Sequence, residues 1–460
     1  MIGNLFLISV RVGAQDDQKP PNILLIIADD MGRHTGKYGD RTVPTPKLDR
    51  MANEGVLFTR AYVTQASCSP SRSSVLTGLY PHQNGQLGLI DAGFTVQPGI
   101  SNLPTILHDH GYYTGSIGKF HVEPDSEFYF DHRHLDRSRN AGLVANMVEQ
   151  FISVQDSLPF FFMVNLSDPH KTRHQYMDAH SVVGVPALPV SESDVQPFGF
   201  IGLNTRPIRI VTAGYYNCVK RIDYIVGLLI ELLDSYQLSE NTMIIFISDH
   251  GPPFTRAKTT CYEAGIRIPF IIKWPSHSSR GIVRDEMIST VDILPTILDA
   301  VGIDPLDNSP GRSLIPLLRD ESVEWRETLC AEYNAHDAEG FYPRRSIRDD
   351  RYKLILNLLP ERESPYEGID GCPVWITSQH DSLIGSEVRR AYDTYRHPTH
   401  LELYDLQEDP NEWNNLEGDS RYDAVKDDLL KRLHLWRKST NDPYLDPARL
   451  KKDRIKYLGV

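Results

Sequence analysis

Three short apolar runs along the chain predict buried strands of one sheet. The runs are Asn22–Ala28, Phe160–Leu166 and Met243–Ser248, and each passes into polar or acidic residues before a helical pattern begins. Continuous apolar runs are typical of strands covered on both faces, and their alternation with helices predicts βα units. The polar endings of the three runs are Asp29-Asp30, Asp168-Pro169-His170 and Asp249-His250.

Helical patterns between these runs predict the layers that cover the sheet. Thr45 and Pro46 supply a cap and a first-turn proline for a helix that ends near Gly55. From Ile222 to Leu238, apolar residues recur at helical spacing, which indicates packing against the sheet and nothing more. We therefore expect an α/β fold with a central sheet flanked by helices.

The pattern changes from about Arg345. A hairpin with its turn near Asp349 and Asp350 is followed by a long irregular stretch and then by a final amphipathic helix. The apolar face of that helix consists of Tyr422, Val425, Leu429, Leu433 and Trp436. We expect a smaller α+β domain at 345–460, packed on a catalytic domain at 20–344, with 1–19 as a tail.

Composition limits the class of protein. The chain has 460 residues, of which 40% are hydrophobic and 24% charged, so a globular protein with more than one domain is expected. A net charge of −13 argues against a general nucleic-acid-binding surface, and an anionic substrate would have to be attracted locally. No run approaches the roughly 20 apolar residues that span a bilayer, so no membrane span is expected.

The N-terminus and the cysteines bear on the compartment. Met1–Gln15 resembles a clipped secretion signal, although it lacks a basic start and Arg11 shortens its apolar run. The alternatives are a secreted or periplasmic protein, lysosomal in a eukaryote, and a chain with a frayed tail. The cysteines leave the redox compartment open, since they are too few and too scattered for a disulfide scaffold; they are Cys68, Cys218, Cys261, Cys330 and Cys372.

The acidic pairs that close the three strands predict a common site. Ligands of open α/β sheets bind beyond the carboxyl ends of the strands, where these pairs would converge. Asp29, Asp30 and Asp249 offer hard oxygen ligands that suit Ca²⁺ or Mg²⁺. A single such aspartate often only caps the following loop, but three strand ends together favour a site.

The segment from Cys68 to Gly78 carries the most specific motif. It reads CSPSRSSVLTG and matches C-x-P-S-R-x-x-x-x-T-G, by which the chain resembles the type I sulfatases. Pro70 suits the first turn of a helix, whose free N–H groups favour an anion, and Arg72 adds a bidentate donor. A buried structural cysteine does not explain the whole motif, and a cysteine-nucleophile hydrolase leaves the acidic residues without a role.

Further motifs extend this resemblance over about 21–443. Gly118–His121 resembles the family's G-K-x-H element, and Lys258 with Glu263–Pro269 resembles K-x(4)-E-x-G-x-R-x-P. Glu402–Leu406 begins a stretch similar to the family's C-terminal E-L-Y-D-L element. The resemblance implies an alkaline-phosphatase-like fold with a mixed central sheet and a smaller C-terminal domain.

The resemblance also implies a cofactor set. One Ca²⁺ ion, with Mg²⁺ as the alternative, would be held by Asp29, Asp30, Asp249 and His250 together with residue 68. Cys68 would be oxidised to formylglycine (3-oxoalanine) by a maturation enzyme. Among these ligands His250 is the least natural calcium partner, because an imidazole replaces an oxygen donor.

The implied reaction assigns roles to the surrounding side chains. The hydrated aldehyde attacks sulfur, the alcohol or amine leaves, and the aldehyde re-forms as sulfate is released. Asp249 would help to deprotonate the attacking hydroxyl, His170 and Lys258 would protonate the leaving group, and His121 would take a proton from the remaining hydroxyl. The cations that neutralise the sulfate would be Arg72, Lys119 and Lys258.

Softer matches concern the substrate. Leu79–Gly85, which contains H-Q-N-G, resembles the branch of the family that removes the N-sulfate of glucosamine at the non-reducing end of heparan sulfate, although it could simply be a turn. On this reading the residues that bind the sugar would be His82, Asp168, Arg396 and His400. The alternatives are an O-sulfatase acting on another sulfated sugar, such as 6-O-sulfated glucosamine, a phosphonate or phosphate ester hydrolase, and a non-catalytic glycan-binding protein.

Overall fold

The computed structural model describes residues 19–154, 158–170, 189–307, 309–365 and 373–459. The N-terminal tail expected at 1–19, apart from Lys19, lies outside these residues, as does Cys372. No helix in the described part of the chain has both the length and the apolar character needed to cross a lipid bilayer.

Strands and helices alternate through the first two thirds of the chain. The strands are β1 (Asn22–Asp29), β2 (Val56–Phe58), β3 (Ala61–Tyr62), β4 (Tyr113–Gly118), β5 (His132–His134), β6 (Phe160–Pro169), β7 (Thr242–Ser248), β8 (Arg267–Ile268), β9 (Phe270–Lys273), β10 (Ile282–Arg284), β11 (Ile288–Ser289), β12 (Leu329–Tyr333), β13 (Arg344–Arg348), β14 (Tyr352–Asn357) and β15 (Leu401–Asp405). The helices are α1 (Pro46–Glu54), α2 (Cys68–Thr77), α3 (Pro81–Asn84), α4 (Leu103–Asp109), α5 (Ala141–Ser153), α6 (Arg206–Ser235), α7 (Glu263–Ile266), α8 (Ile293–Ala300), α9 (Ile315–Leu318), α10 (Pro373–Ser378), α11 (Glu387–Arg396), α12 (Asp423–Ser439) and α13 (Pro447–Leu458).

The main sheet has eight strands in the order β10-β2-β9-β7-β1-β6-β4-β5. Strand β1 lies near its centre and runs parallel to both neighbours, β6 and β7. Strand β9 is antiparallel to β2 and β7, which makes the sheet mixed. The predicted α/β fold with a mixed central sheet is therefore confirmed.

Both faces of this sheet are covered, which explains the continuous apolar runs. Along β1, Leu24 and Ile26 pack into the core that includes α1, α5 and α6. Ile23 and Leu25 point to the other face and pack with α2, α4 and α8. Because successive strand side chains alternate between faces and each face meets helices, no polar position is needed along the strand.

A second sheet follows in the C-terminal part. Strands β12, β13, β14 and β15 form an antiparallel sheet, and the turn between β13 and β14 contains the expected Asp349 and Asp350. Strand β12 precedes residue 345, so this sheet includes residues that we assigned to the catalytic domain. The division into 20–344 and 345–460 stays a prediction. The stretch expected to be irregular contains helices α10 and α11, which corrects that expectation.

Candidate active site

The carboxyl ends of β1 and β7 bring their polar residues together because the two strands are parallel neighbours. The backbone N–H of Asp30 donates to Asp249 Oδ1 at 2.8 Å, and Asp30 has a positive φ of 68° that turns the chain at the strand end. His250 Nδ1 lies 2.9 Å from the Gly251 carbonyl oxygen, to which it donates. The opposite ring nitrogen, Nε2, lies 2.9 Å from Asp30 Oδ1.

Helix α2 places Cys68 against this strand-end group. Cys68 is 1% exposed, and its Sγ lies 3.8 Å from Asp30 Oδ1 and 3.4 Å from His250 Nε2. One potential ligand atom from each of Asp30, Cys68, Asp249 and His250 lies within 4.8 Å of all the others. We call these four residues the ligand cluster.

Two lysines, Lys119 and Lys258, lie against the ligand cluster, as does Arg72. Lys119 Nζ lies 2.7 Å from Asp29 Oδ2 and 3.4 Å from Cys68 Sγ, and Lys258 Nζ lies 2.8 Å from Asp30 Oδ2. Asp29 and Asp30 therefore each have their own ammonium partner. Asp29 borders the ligand cluster, and its carboxylate bridges to Lys119.

Arg72 is held on three sides. Its Nε donates to Asp249 Oδ2 at 2.9 Å, and its Nη1 donates to the Lys119 carbonyl at 2.7 Å and to Asn165 Oδ1 at 3.0 Å. Asn165 was not anticipated from the sequence, since it lies within the apolar run of β6. The guanidinium is 1% exposed and donates to all three of these groups, so the fold fixes its orientation.

The charges of the ligand cluster affect its titration. Burial opposes ionisation of Asp30, but Lys258 and then His250 hold its pKa well below the usual range. Burial raises the pKa of Asp249, although Arg72 opposes this. The pKa of His250 is raised well above its usual value, because Asp30 and Asp249 outweigh the effect of burial.

The ligand cluster fits a divalent cation. Two carboxylates and an imidazole converge on one buried point, and closely spaced carboxylates favour a bound cation that offsets their repulsion. With sulfur at position 68, this donor set also suits a softer metal such as zinc. An oxygen donor at position 68 would shift the metal preference of this donor set towards Ca²⁺ or Mg²⁺.

The two histidines that we expect to transfer protons, His121 and His170, lie close to Lys119. Burial, followed by the charge of Lys119, lowers the pKa of His121 to about 2 and that of His170 to about 4. His121 Nε2 lies 3.4 Å from Asp91 Oδ2, and among the described residues no partner reaches its buried Nδ1. Both rings are therefore neutral near pH 7.

A third histidine, His336, was not predicted from the sequence to lie near the site. His336 follows β12, and its Nδ1 lies 2.9 Å from the Oγ of Ser67, the residue before Cys68. Burial, followed by the charges of Lys258 and His250, holds its pKa well below the usual value. No strand end or motif marks His336, because its proximity to Cys68 depends on a sheet formed more than 250 residues later.

His82 lies in the interior of the protein. Its side chain is 0% exposed, with Nδ1 2.5 Å from Glu332 Oε2 and Nε2 3.2 Å from the Thr440 carbonyl oxygen. Both ring nitrogens are thus occupied by protein acceptors. The role of His82 in binding a sugar stays a prediction.

Asp168 is also occupied by protein partners. Its buried carboxylate pairs with both Arg221 Nε and Arg221 Nη2, and it lies 3.2 Å from Arg139 Nη1. Arg139 in turn donates to the backbone carbonyl of His170 at 2.7 Å. Asp168 therefore supports the chain around His170, and its role in binding a sugar stays a prediction.

The two C-terminal sugar-binding candidates are held elsewhere. Arg396 Nε donates to Glu363 Oε2 at 3.0 Å, and its role stays a prediction. His400 Nδ1 donates to the Asn357 carbonyl at 3.0 Å, and His400 lines a cavity with Leu430 and His434 of α12. This cavity contains no residue of the ligand cluster, and the role of His400 in binding a sugar stays a prediction.

Family comparisons cover most of the chain. A family model described as Sulfatase matches residues 21–303, and one described as N-sulphoglucosamine sulphohydrolase, C-terminal, matches residues 255–364. N-sulphoglucosamine sulphohydrolase of Homo sapiens is 32% identical over 93% of this chain and 92% of its own. A sulfatase of Formosa agariphila described as ulvan-active is 29% identical over 92% of this chain and 81% of its own.

Solved structures share the fold. One, in complex with its substrate D-glucosamine-2-N,6-O-disulfate, superposes with a TM-score of 0.69 at 21% identity, covering 92% of this chain and 99% of that one. A phosphonate monoester hydrolase of Agrobacterium radiobacter gives a TM-score of 0.68 at 21% identity, covering 91% and 96%. At such identities these similarities concern the fold alone.

Proposed function

Because the chain belongs to the sulfatase family, whose members hydrolyse sulfate esters or sulfamates, we propose that it removes sulfate from a sulfated saccharide. The resemblance drawn from Cys68–Gly78 is confirmed at the level of the family. The observation that carries the proposal is Cys68 at the start of α2, buried against Asp30, His250 and Lys119.

The proposed substrate is the N-sulfate of glucosamine at the non-reducing end of heparan sulfate or heparin fragments. The human N-sulphoglucosamine sulphohydrolase aligns with this chain over 92% of its own length, which supports the choice. The C-terminal family model provides independent support, because it matches a different part of the chain from Cys68.

We propose that Asp29, Asp30, Asp249 and His250 hold one Ca²⁺ ion, with Mg²⁺ as the alternative, and that Cys68 is converted to formylglycine. A bound divalent cation polarises sulfate oxygens and lowers the pKa of a neighbouring hydroxyl. The proposal is supported by the buried ligand cluster, in which Asp30 and Asp249 offer oxygen donors just beyond the ends of β1 and β7.

The cations of the site bind the sulfate. Arg72 is positioned before substrate arrives, because Asp249, Asn165 and the Lys119 carbonyl already fix its guanidinium. Lys119 and Lys258 approach from the Asp29 and Asp30 sides. Preorganised charges of this kind stabilise the negative charge that develops during transfer of the sulfuryl group.

Proton transfer is assigned to one carboxylate, two histidines and one lysine. Asp249 accepts the proton of the attacking hydroxyl, which fits the upward shift that burial gives its pKa. His121 is neutral and has an unpartnered Nδ1 among the described residues, so it can accept a proton as sulfate leaves. His170 and Lys258 donate to the leaving group; the negative charge of bound sulfate raises the pKa of His170 towards the range that this requires.

The test is release of sulfate after co-expression with a formylglycine-generating enzyme. We expect turnover of glucosamine N-sulfate, with much slower release from glucosamine 6-O-sulfate, and no turnover by the Cys68→Ala variant. Faster release from the 6-O-sulfate would replace the N-sulfate assignment by that of an O-sulfatase. Hydrolysis of a phosphonate monoester without any release of sulfate would contradict the proposed function.

A further inference from the structure

A large cavity lies outside the ligand cluster and shares no residue with it. Its volume is about 780 Å³, and it lies among the loop from Gly32 to Thr42, helix α7 and the turn that contains Asp350. Arg41 and Asp350 at its rim are exposed, so the cavity opens to solvent. This volume falls within the range of about 300–1,000 Å³ that is usual for ligand sites.

The lining of this cavity is rich in positive charge, although the chain has a net charge of −13. Six arginines line it, against four acidic residues. The arginines are Arg33, Arg41, Arg60, Arg256, Arg267 and Arg348. The acidic residues are Asp40, Glu263, Asp350 and Glu412.

Two of the arginines compete for one acceptor. Arg33 Nη1 donates to the Thr59 carbonyl at 3.2 Å, and Arg267 Nη2 donates to the same oxygen at 2.7 Å. Among the described residues, Arg33 has no carboxylate within ion-pair distance, and its guanidinium lies 5.6 Å from the centre of the Tyr38 ring. Burial and then the charge of Arg267 lower the pKa of Arg33 to about 10, as expected for neighbouring like charges.

The nearby carboxylate does not neutralise this pair. Glu263 Oε2 lies 3.9 Å from Arg267 Nη1 but only 2.8 Å from Arg348 Nη1. Its other oxygen lies 3.3 Å from Lys353 Nζ. Arg41, at the rim, has no ion-pair partner among the described residues, so the cavity keeps guanidinium donors for a ligand.

We propose that this arginine cavity, centred on Arg33 and Arg267, is a second binding site for sulfate oxyanions. The sulfate would be carried by a further sugar of the saccharide or would be the free ion. An oxyanion placed between the two guanidinium groups replaces their repulsion by charge-assisted hydrogen bonds, which guanidinium forms in bidentate fashion. The saccharide alternative rests on the proposed function, whereas binding of the free ion does not.

The test uses the full chain with Cys68→Ser, which blocks turnover. Calorimetry measures binding of sodium sulfate, of a heparin-derived octasaccharide and of its desulfated form. We expect two binding sites for sulfate groups, and Arg33→Gln should weaken the second by about tenfold. Arg41→Glu adds a variant that cannot disturb packing, because Arg41 is exposed; it should weaken the same site.

Arg390→Gln is the matched control, since Arg390 is exposed and lies outside the cavity. It should leave both affinities within twofold. Loss of sodium sulfate binding in Arg33→Gln identifies the free ion as the ligand, and an effect on the octasaccharide alone identifies the saccharide. Unchanged binding of both in Arg33→Gln and Arg41→Glu overturns the second site. Failure of the parent enzyme to hydrolyse glucosamine N-sulfate instead contradicts the proposed function.

Discussion

Cys68 Sγ shares a buried pocket with two carboxylates and the Nε2 of His250. Thiolate and imidazole donors favour zinc-like metals, whereas oxygen donors favour calcium. Oxidation of Cys68 to formylglycine would therefore change the metal preference of the site as well as supply the reacting group. The unmodified and modified chains should differ in the ion they retain.

Cobalt titration checks this difference. The chain produced without a maturation enzyme should bind Co²⁺ through Cys68 and show thiolate-to-metal charge-transfer absorption. Cys68→Ser should lose that absorption while it still binds the ion, because the oxygen and imidazole donors remain. Equal spectra for the two proteins would show that sulfur is not a ligand.

Arg72 provides a prediction about preorganisation. Arg72→Lys keeps the charge but cannot make the three contacts to Asp249, Asn165 and the Lys119 carbonyl. We expect kcat for sulfate release to fall by about 10²- to 10³-fold, with little change in the thermal midpoint. The control is Arg206→Lys at the start of α6, since the Arg206 side chain is 73% exposed. A rise in KM with kcat unchanged would contradict a role of Arg72 in stabilising the transition state.

The sequence predicted some of these residues and not others, for a physical reason. Asp29, Asp30 and Asp249 directly follow apolar runs, and parallel strands carry such endings to one edge, so their meeting could be predicted. His82 also lies in a recognisable segment, but its partners Glu332 and Thr440 are distant in the sequence. No local pattern distinguishes a histidine that faces a substrate from one that faces a buried carboxylate.

Helix α3 is joined to the C-terminal sheet by a buried chain of charges. His82 of α3 contacts Glu332 of β12, and Glu332 Oε2 lies 3.5 Å from Arg345 Nε of β13. Arg345 Nη2 continues to Asp442 Oδ1 at 2.8 Å, beyond α12. Despite burial, His82 and Arg345 lower the pKa of Glu332, so the carboxylate is ionised within this network.

Removal of this carboxylate should destabilise the protein. Glu332→Gln leaves the buried guanidinium of Arg345 with one fewer anion, and the loss is expected to be about 3 kcal/mol in the free energy of unfolding. Urea unfolding measures the change. Glu327→Gln is the control, since its side chain is 84% exposed, and it should have almost no effect. Equal effects of the two substitutions would argue against a structural role of the network.

Strand β12 lies before the expected domain boundary at residue 345 but belongs to the C-terminal sheet. Leu329–Tyr333 is short and lies before the change of pattern at Arg345, yet it pairs along its whole length with β13. The pairing partner decides where such a strand belongs, and the hydrophobic pattern does not contain that information. The hairpin β13–β14, by contrast, was predictable because its two strands and its turn are contiguous.

Ion pairs join helix α7 to the C-terminal sheet across the expected boundary. Glu263 of α7 pairs with Arg348 of β13 and with Lys353 of β14. A chain that ends at residue 344 would leave Glu263 without these cations and β12 without its partner. We expect such a chain to lack a cooperative unfolding transition, as measured by circular dichroism on heating, whereas a chain that ends at residue 459 should unfold as the full chain does. Cooperative unfolding of the short chain would show that 20–344 folds independently.

The same junction makes stability depend on pH. Lys353 Nζ lies 3.0 Å from Glu412 Oε1 as well as close to Glu263. Burial raises the pKa of Glu412 from 4.5 to about 7, an effect that Lys353 opposes and Glu263 strengthens. Between these pH values the folded chain binds a proton that the unfolded chain has released, so this group makes the folded state less stable as pH rises.

Glu412→Gln removes that proton exchange. The free energy of unfolding of the variant should decline less steeply between pH 4.5 and 7. Above pH 7 it should exceed the free energy of unfolding of the parent by on the order of 2 kcal/mol. Urea unfolding at a series of pH values measures both effects, with the exposed Glu408→Gln as the control. If the variant instead lost stability equally at every pH, the carboxyl group of Glu412 would not exchange a proton on unfolding in this range. Such a result would make the junction a fixed connection between the sheets, insensitive to protonation of the carboxyl group.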